Sequence, residues 1–216
     1  EIIMKYLIYR NDGIGDLIVT SKIFLAIHEL NTNYEIFLVC SNRNVKYAKE
    51  LKKSGLISDF INFDNYTNNI VDLIRQIKKI RSLDIDISLI YKINNKNLLI
   101  NLLSKSKRQY SILPLKQGKF FKKKYKIPYL ISKILFNDVE VIDERNNYEN
   151  QKNIHMGQHF FNLFKKTLNE NLNEKNYTYP KLTSINDAKN KIRNYLKLIA
   201  NGKKIIVLHI DEKWSV

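Results

Sequence analysis

A single cysteine, Cys40, occurs among 216 residues. That excludes an intramolecular disulfide framework and any multi-cysteine zinc site, and it fits a reducing compartment. No apolar run reaches the length of a membrane-spanning helix, about 18 residues. Residues 1 to 10 have the composition of a buried strand and lack the length and cleavage pattern of a signal peptide. Glycine and proline are scarce, at 6 and 3, while Asn, Ile and Lys are used heavily throughout. Such usage points to genome-wide base bias, so the Asn-rich patches, such as Asn94-Asn95 and Asn146-Asn147, read as solvated loops. Acidic residues are outnumbered, 21 against 37 Lys+Arg, for a formal net charge of +16. Even discounted for base bias, that charge calls for an acidic partner: a nucleic acid, an anionic membrane face, or a phosphorylated or carboxylated small molecule. With 44% hydrophobic residues, the chain is globular and long enough to bury a core unaided.

Several motifs are also missing. The third glycine of a dinucleotide fingerprint would fall at Ile18, and no Gly-Lys-Ser/Thr follows the glycines of a phosphate-binding loop. His155 and His159 are spaced as a helical pair, but Met156-Gly157-Gln158 lies between them, so the zinc-protease motif is absent and tertiary packing or contact with the cleft is the expected role. No nucleophile elbow is present, and His28 reads as an ordinary helix residue. Asp84-Ile85-Asp86 has Asp-x-Asp spacing but leads into a buried strand.

The pattern that is present alternates strand and helix. Met4 to Tyr9 predicts a strand, and a helix follows with Leu17, Thr20, Phe24 and Ile27 at spacings of three and four. Tyr34 to Cys40 predicts a second strand, residues 44 to 53 a helix ending near Gly55, and Phe60 to Phe63 a short third strand. Residues 67 to 81 predict an amphipathic helix with Ile70, Leu73, Ile74, Ile77 and Ile80 on one face. Ile85 to Tyr91 reads as a strand, Leu98 to Ser104 as a short helix, and Tyr110 to Ile112 as one more strand. Such alternation with short links is the signature of an α/β fold, a Rossmann-like open parallel sheet covered on both faces. From Pro114 to Lys126 the rhythm breaks, and helices are expected at 128–136 and 155–170. A polar stretch around Asn171 to Pro180 reads as a linker, followed by a helix at 185–200 and a strand at 204–209. One strand cannot bury itself. The expectation is therefore one complete domain, residues 1–175, and the beginning of a second, residues 176–216.

Arg10-Asn11-Asp12-Gly13-Ile14-Gly15-Asp16 lies after the first strand and before the first helix, where open α/β sheets bind ligands. Gly13 and Gly15 allow a tight turn and close approach of a ligand, and the helix N-terminus offers free N–H groups. Asp16 has two readings. It is a first-turn acid stabilised by the helix dipole, or a carboxylate at the mouth of a cleft that takes a proton from a hydroxyl. The Lys116 to Lys126 segment interleaves lysines with Phe120, Phe121 and Tyr125. It fits a nucleic acid backbone with stacked bases, an anionic headgroup or phosphorylated sugar, or a solvated loop.

The run from Tyr6 to Thr20, with Arg10, the short loop, Ile14-Gly15-Asp16 and a threonine in the helix, resembles the opening of the ADP-heptose:lipopolysaccharide heptosyltransferases, glycosyltransferase family 9. The Gly55 to Asp59 turn and the Leu83-Asp84-Ile85-Asp86-Ile87 approach also fit. The resemblance implies the N-terminal half of a GT-B glycosyltransferase, with the acceptor on this domain and the nucleotide-sugar donor mainly on the next. It implies Asp16 as the catalytic base and Arg10, Asp12, Gly13 and Gly15 as substrate-binding residues. Lys119, Lys122 and Lys123 would dock an anionic acceptor such as a lipopolysaccharide core or another phosphorylated saccharide. His209 and Lys213 would face the donor, ADP-heptose by the resemblance, with no metal and no further cofactor. Here the chain departs from the family: the usual His-Pro-Gly becomes His209-Ile210-Asp211, and Asp211 and Glu212 would repel a diphosphate. The implied place is the cytoplasm, with a peripheral site on the inner face of the cytoplasmic membrane as an option. With half of the enzyme beyond these residues, the 216-residue chain is expected to be inactive by itself. The rival readings are a non-catalytic α/β module that binds nucleic acid or another polyanion, for which no recognised motif is present, and a degenerate family member kept as a binding protein.

Overall fold

The computed structural model describes residues 3–30, 33–66, 70–91, 93–115, 130–131, 133–143, 156–168, 172–173, 176–180 and 184–200. Strands β1 (Met4–Tyr9), β2 (Tyr34–Cys40), β3 (Asp59–Asn62), β4 (Ile87–Ile90), β5 (Arg108–Leu115) and β6 (Asp138–Asp143) form one sheet. Its order is β3-β2-β1-β4-β5-β6, and every neighbouring pair is parallel. The order reverses between β1 and β4, so the chain winds outward in both directions from that point. The sheet is the Rossmann-like open parallel sheet that the alternation predicts.

Right-handed crossovers place α1 (Ile14–Leu30) and α2 (Val45–Lys53) on one face, and α3 (Ile70–Ser82) and α4 (Asn95–Ser104) on the other. Helix α5 (Met156–Leu168) packs on α1, β5 and β6. Central strands buried on both faces are largely apolar: Tyr6, Leu7, Ile8 and Tyr9 are all buried, and β4 adds Ile87, Leu89 and Ile90 around one buried serine, Ser88. Leu7 and Tyr9 share a core with Val39, Ile77, Ile80, Ile90, Leu98 and Leu113. The alternate residues point to the opposite face, as the period of two requires.

Local chemistry ends the helices where the sequence signals it. Gly55 takes φ +75, and Leu56 N–H donates to Leu51 O while Gly55 N–H donates to Lys52 O. That pair of bonds satisfies the last carbonyls of α2 and needs a left-handed residue, which glycine adopts without a Cβ penalty. Asn94 starts α4 by accepting the Asn97 N–H at 2.8 Å, so this asparagine is a helix cap and not merely part of a solvated loop.

Three expectations are corrected. Strand β6 lies between the helices expected at 128–136 and 155–170, in a stretch for which no strand was expected. Its first half, Asp138-Val139-Glu140, puts charge on alternate residues, which suits a strand at the edge of a sheet. Lys166 of α5 pairs with Asp138 at 3.0 Å and Glu140 at 2.7 Å. Second, β5 continues past Ile112 through Pro114. Strand β4 ends at Ile90 opposite Ser111, so Pro114 lies where β5 has a partner on one side only, a setting that tolerates proline. Third, α3 buries Ile77, Ile80 and Gln76, while Ile70 is 72% exposed and Ile74 is also exposed. The apolar stripe of the helix is therefore longer than its buried face.

Two compact units are distinguished, Glu1–Pro180 and Lys181–Val216. The second contains α6 (Ser184–Ala200), and the strand expected at 204–209 lies outside the described residues. No described helix is long and apolar enough to cross a membrane.

At the N-terminal edge of the sheet, Asp86 accepts the Lys5 N–H at 2.8 Å and Lys107 Nζ at 2.9 Å. Burial opposes its ionisation, but the hydrogen bonds from Lys107 and Lys5 outweigh it and the carboxyl titrates below its ordinary range. A carboxyl lowered in the folded state stabilises the fold above its unfolded pKa and loses that contribution as pH falls through the folded value. Asp86→Asn should therefore melt below wild type at pH 7, with the difference closing as pH falls through the lowered folded value of the carboxyl. Thermal unfolding across pH checks this; an equal deficit at every pH would show that charge is not the cause.

Candidate functional site

The C-terminal edge of the sheet is where the β1–α1, β2–α2 and β4–α4 loops meet. Loops from β1 and β4 diverge to opposite faces of the sheet and leave a crevice between them, the usual ligand position in this architecture. Arg10 follows β1 directly. Its N–H donates to Val39 O at 2.9 Å, so the backbone still belongs to the sheet while the side chain turns inward, only 2% exposed.

The Arg10 guanidinium is held on several sides. Nη1 donates to Tyr91 O at 2.9 Å, Nη2 lies 3.1 Å from Asp16 Oδ1 and Nε lies 3.3 Å from Asp12 Oδ1. The plane sits over the Phe160 ring at 4.3 Å from its centroid. Burial depresses the guanidinium pKa, while Asp12 and Asp16 push against that shift. Arginine nonetheless stays charged. Its neighbour Tyr91 is raised well above its ordinary value by burial, against the opposing charge of Arg10, so it remains a neutral phenol whose hydroxyl donates to Phe160 O at 3.1 Å.

Asp16 sits in the first turn of α1 with half of its side chain exposed, 51%. Oδ1 meets Arg10, and Oδ2 lies above Gly13, where an added Cβ would come within 3.2 Å of it. One turn further on, the Thr20 hydroxyl donates back to Asp16 O at 2.8 Å. Neither Gly13 nor Gly15 takes a positive φ. Gly13 makes room for the Asp16 carboxylate, and a Cβ on Gly15 would meet nothing within 4 Å. Close approach, and not a left-handed turn, is what the loop draws from Gly13.

Asparagines brace the loop. Asn11 and Asn97 exchange two amide hydrogen bonds, at 2.9 and 2.8 Å, and so tie the β1–α1 loop to α4. Asn44, fully buried, donates to Arg10 O at 2.7 Å and accepts the Ser41 N–H at 2.9 Å. Ser41 Oγ reaches Asp12 O at 3.2 Å. None of Asn11, Asn44, Asn97, Tyr91 or Phe160 was singled out from the sequence. Asn44 and Asn94 each stand one residue before a helix, the position where asparagine is a readable start signal.

Other sequence candidates fall elsewhere. Asp84 and Asp86 lie at the opposite edge of the sheet, paired with Lys107. His159 is buried on α5 beside Glu140, 3.8 Å away. Cys40 ends β2, and burial pushes its thiol up to about 12, which leaves no thiolate nucleophile at neutral pH. Lys119, Lys122, Lys123, His209 and Lys213 lie outside the described residues. Among the described residues no group of three or more His, Cys, Asp or Glu could hold a metal.

No family profile matches the chain, and no curated protein matches it in sequence. Solved structures match it in fold. A glycosyltransferase family 9 protein from Veillonella parvula superposes with a TM-score of 0.55 at 12% identity, over 77% of this chain and 42% of that one. The E. coli heptosyltransferase WaaC with ADP gives 0.53 at 11% identity, over 82% and 49%. The same enzyme with ADP-2-deoxy-2-fluoro heptose gives 0.51 at 11%, over 83% and 51%. At these identities the likeness is one of fold. The chain spans about half the length of the structures it matches.

The two glycines should separate on substitution. Gly15→Ala places a methyl in open space inside a helix, so stability should hold or rise by up to about 1 kcal/mol. Gly13→Ala should displace the Asp16 carboxylate by a few tenths of an ångström and lower the melting temperature. Thermal unfolding with a crystal structure of each variant checks both. Equal effects at the two positions would contradict the close contact at Gly13.

Proposed function

We propose that the chain is the acceptor-side half of an inverting glycosyltransferase that moves a heptose, or a related sugar, from a nucleotide-sugar donor to a lipopolysaccharide core or another phosphorylated saccharide. The observation that carries this reading is one half-exposed carboxylate, Asp16, at the switch-point crevice of a sheet whose fold matches family 9 structures. An acceptor hydroxyl attacks the anomeric carbon of the donor. Asp16 takes its proton through Oδ2, the oxygen that Arg10 does not engage. The glycosidic bond forms on the face opposite the departing nucleoside diphosphate, so the configuration inverts.

A carboxylate stabilised by a cation and a helix N-terminus abstracts a proton only from a hydroxyl held close and shielded from water. The acceptor must therefore be gripped firmly. Lys119, Lys122 and Lys123 are proposed to grip its anionic groups, with Gly15 leaving room for it at the start of α1. His209 and Lys213 are proposed for the donor side, with ADP-heptose as the donor and a cytoplasmic reaction at the inner membrane face. The leaving diphosphate would be stabilised by positive charge and helix N-termini. The polyanion-binding rival rests on net charge and the Lys116 to Lys126 segment alone, and neither explains a carboxylate in the crevice.

In the full-length gene product, Asp16→Asn should lower turnover by about 100-fold or more while the melting temperature holds. Steady-state release of ADP from ADP-heptose, with heptose-deficient lipopolysaccharide as acceptor, reads the effect. Wild-type turnover in the folded variant would remove Asp16 from the mechanism. The 216-residue chain assayed alone should give no transfer; a robust rate would mean that donor and acceptor both bind within these residues.

A further inference from the structure

We propose, resting on the reading of Asp16 as the base, that Arg10 is a positioning residue that holds one oxygen of Asp16 so that the other faces the substrate. The sequence resemblance would place Arg10 against the substrate itself. Its guanidinium is 2% exposed, stacked on Phe160 and bonded to Tyr91 O, so it faces away from any ligand in the crevice. What it touches at the surface is Asp16 Oδ1, at 3.1 Å.

The contacts form a fixed frame. Phe160 lies under the plane of the guanidinium, the bond from Nη1 to Tyr91 O sets its rotation in that plane, and Nη2 is left directed at Asp16. A planar fork fixed at several points defines the orientation of its carboxylate partner, whereas an ammonium is a point charge and does not. Gly13 completes the arrangement, because a Cβ there would come within 3.2 Å of Oδ2 and push it aside. Arg10 and Gly13 together choose which oxygen is presented and where. Asp12 has a different part: it neutralises the buried cation from the loop side.

Arg10→Lys keeps the charge and removes the fork, so it is the variant to test. Its crystal structure needs no substrate and is expected to show Asp16 in a changed rotamer. An unchanged Asp16 overturns the proposal. In the full-length product, with ADP-heptose and heptose-deficient lipopolysaccharide, kcat should fall about 100-fold, as for a base displaced by an ångström. The acceptor KM should stay within about threefold, since no substrate contact is lost. In an Asp16→Asn background the same change should cost nothing beyond about twofold, because both act through one carboxylate. An equal loss in both backgrounds overturns the proposal, as does a wild-type kcat in folded Arg10→Lys. Undiminished turnover in Asp16→Asn overturns the base and the positioning role together, so the two failures are distinguishable. Should Arg10→Lys not fold, Phe160→Leu keeps every charge and frees the guanidinium plane. Its kcat should fall about tenfold at unchanged KM, and a wild-type kcat there overturns the proposal.

Discussion

One buried cation organises the crevice. A guanidinium placed at the end of a central strand loses its hydration, and unless it is paired the cost is several kcal/mol. Arg10 recovers that cost from two carboxylates, a backbone carbonyl and an aromatic face. Those partners come from four separate places: the β1–α1 loop, the first turn of α1, the end of β4 and helix α5. Neutralising one charge therefore draws the switch point of the sheet together, and it leaves a carboxylate half in water where the fold binds ligands.

The neutral polar contacts follow from the same demand. Backbone groups at the C-terminal ends of parallel strands are left without ladder partners as the loops diverge, and buried groups of that kind need others. Asparagine supplies a donor and an acceptor on one short side chain. Asn44 reaches the Arg10 carbonyl, Asn94 caps α4, and the Asn11–Asn97 pair spans the crevice. The abundance of asparagine in this chain thus has two sources. Base composition makes it common, and particular positions then use it where a donor and an acceptor are needed together.

The opposite edge of the sheet carries structural charge. Asp86 joins β1 to the start of β5 through Lys5 N–H and Lys107, and Lys166 clamps α5 to the edge strand β6. These ion pairs bind neighbouring elements to each other and face away from the crevice. The carboxylates of the protein are thereby sorted by edge, with Asp12 and Asp16 at the C-terminal end and Asp84 and Asp86 at the other. That sorting sets Asp84-Ile85-Asp86 apart from the crevice despite its suggestive spacing.

The sequence by itself determined the architecture and the place of the glycine-containing loop after the first strand. Apolar runs such as Tyr6 to Tyr9 and Tyr34 to Cys40, separated by helical periodicity, admit little besides a parallel sheet, because local periodicity reports which faces are buried. Gly55 marked the end of α2, and Gly13-Ile14-Gly15-Asp16 marked the loop. The tertiary structure alone decided the direction of Arg10, the stripe of α3 left exposed at Ile70 and Ile74, strand β6, and the Asn11–Asn97 pair. Each of these depends on a partner many residues away: Phe160 for Arg10, Lys166 for β6, Asn97 for Asn11. Spacing along the chain records the geometry of one element, whereas a buried charge or an edge strand is settled by what another element brings to it.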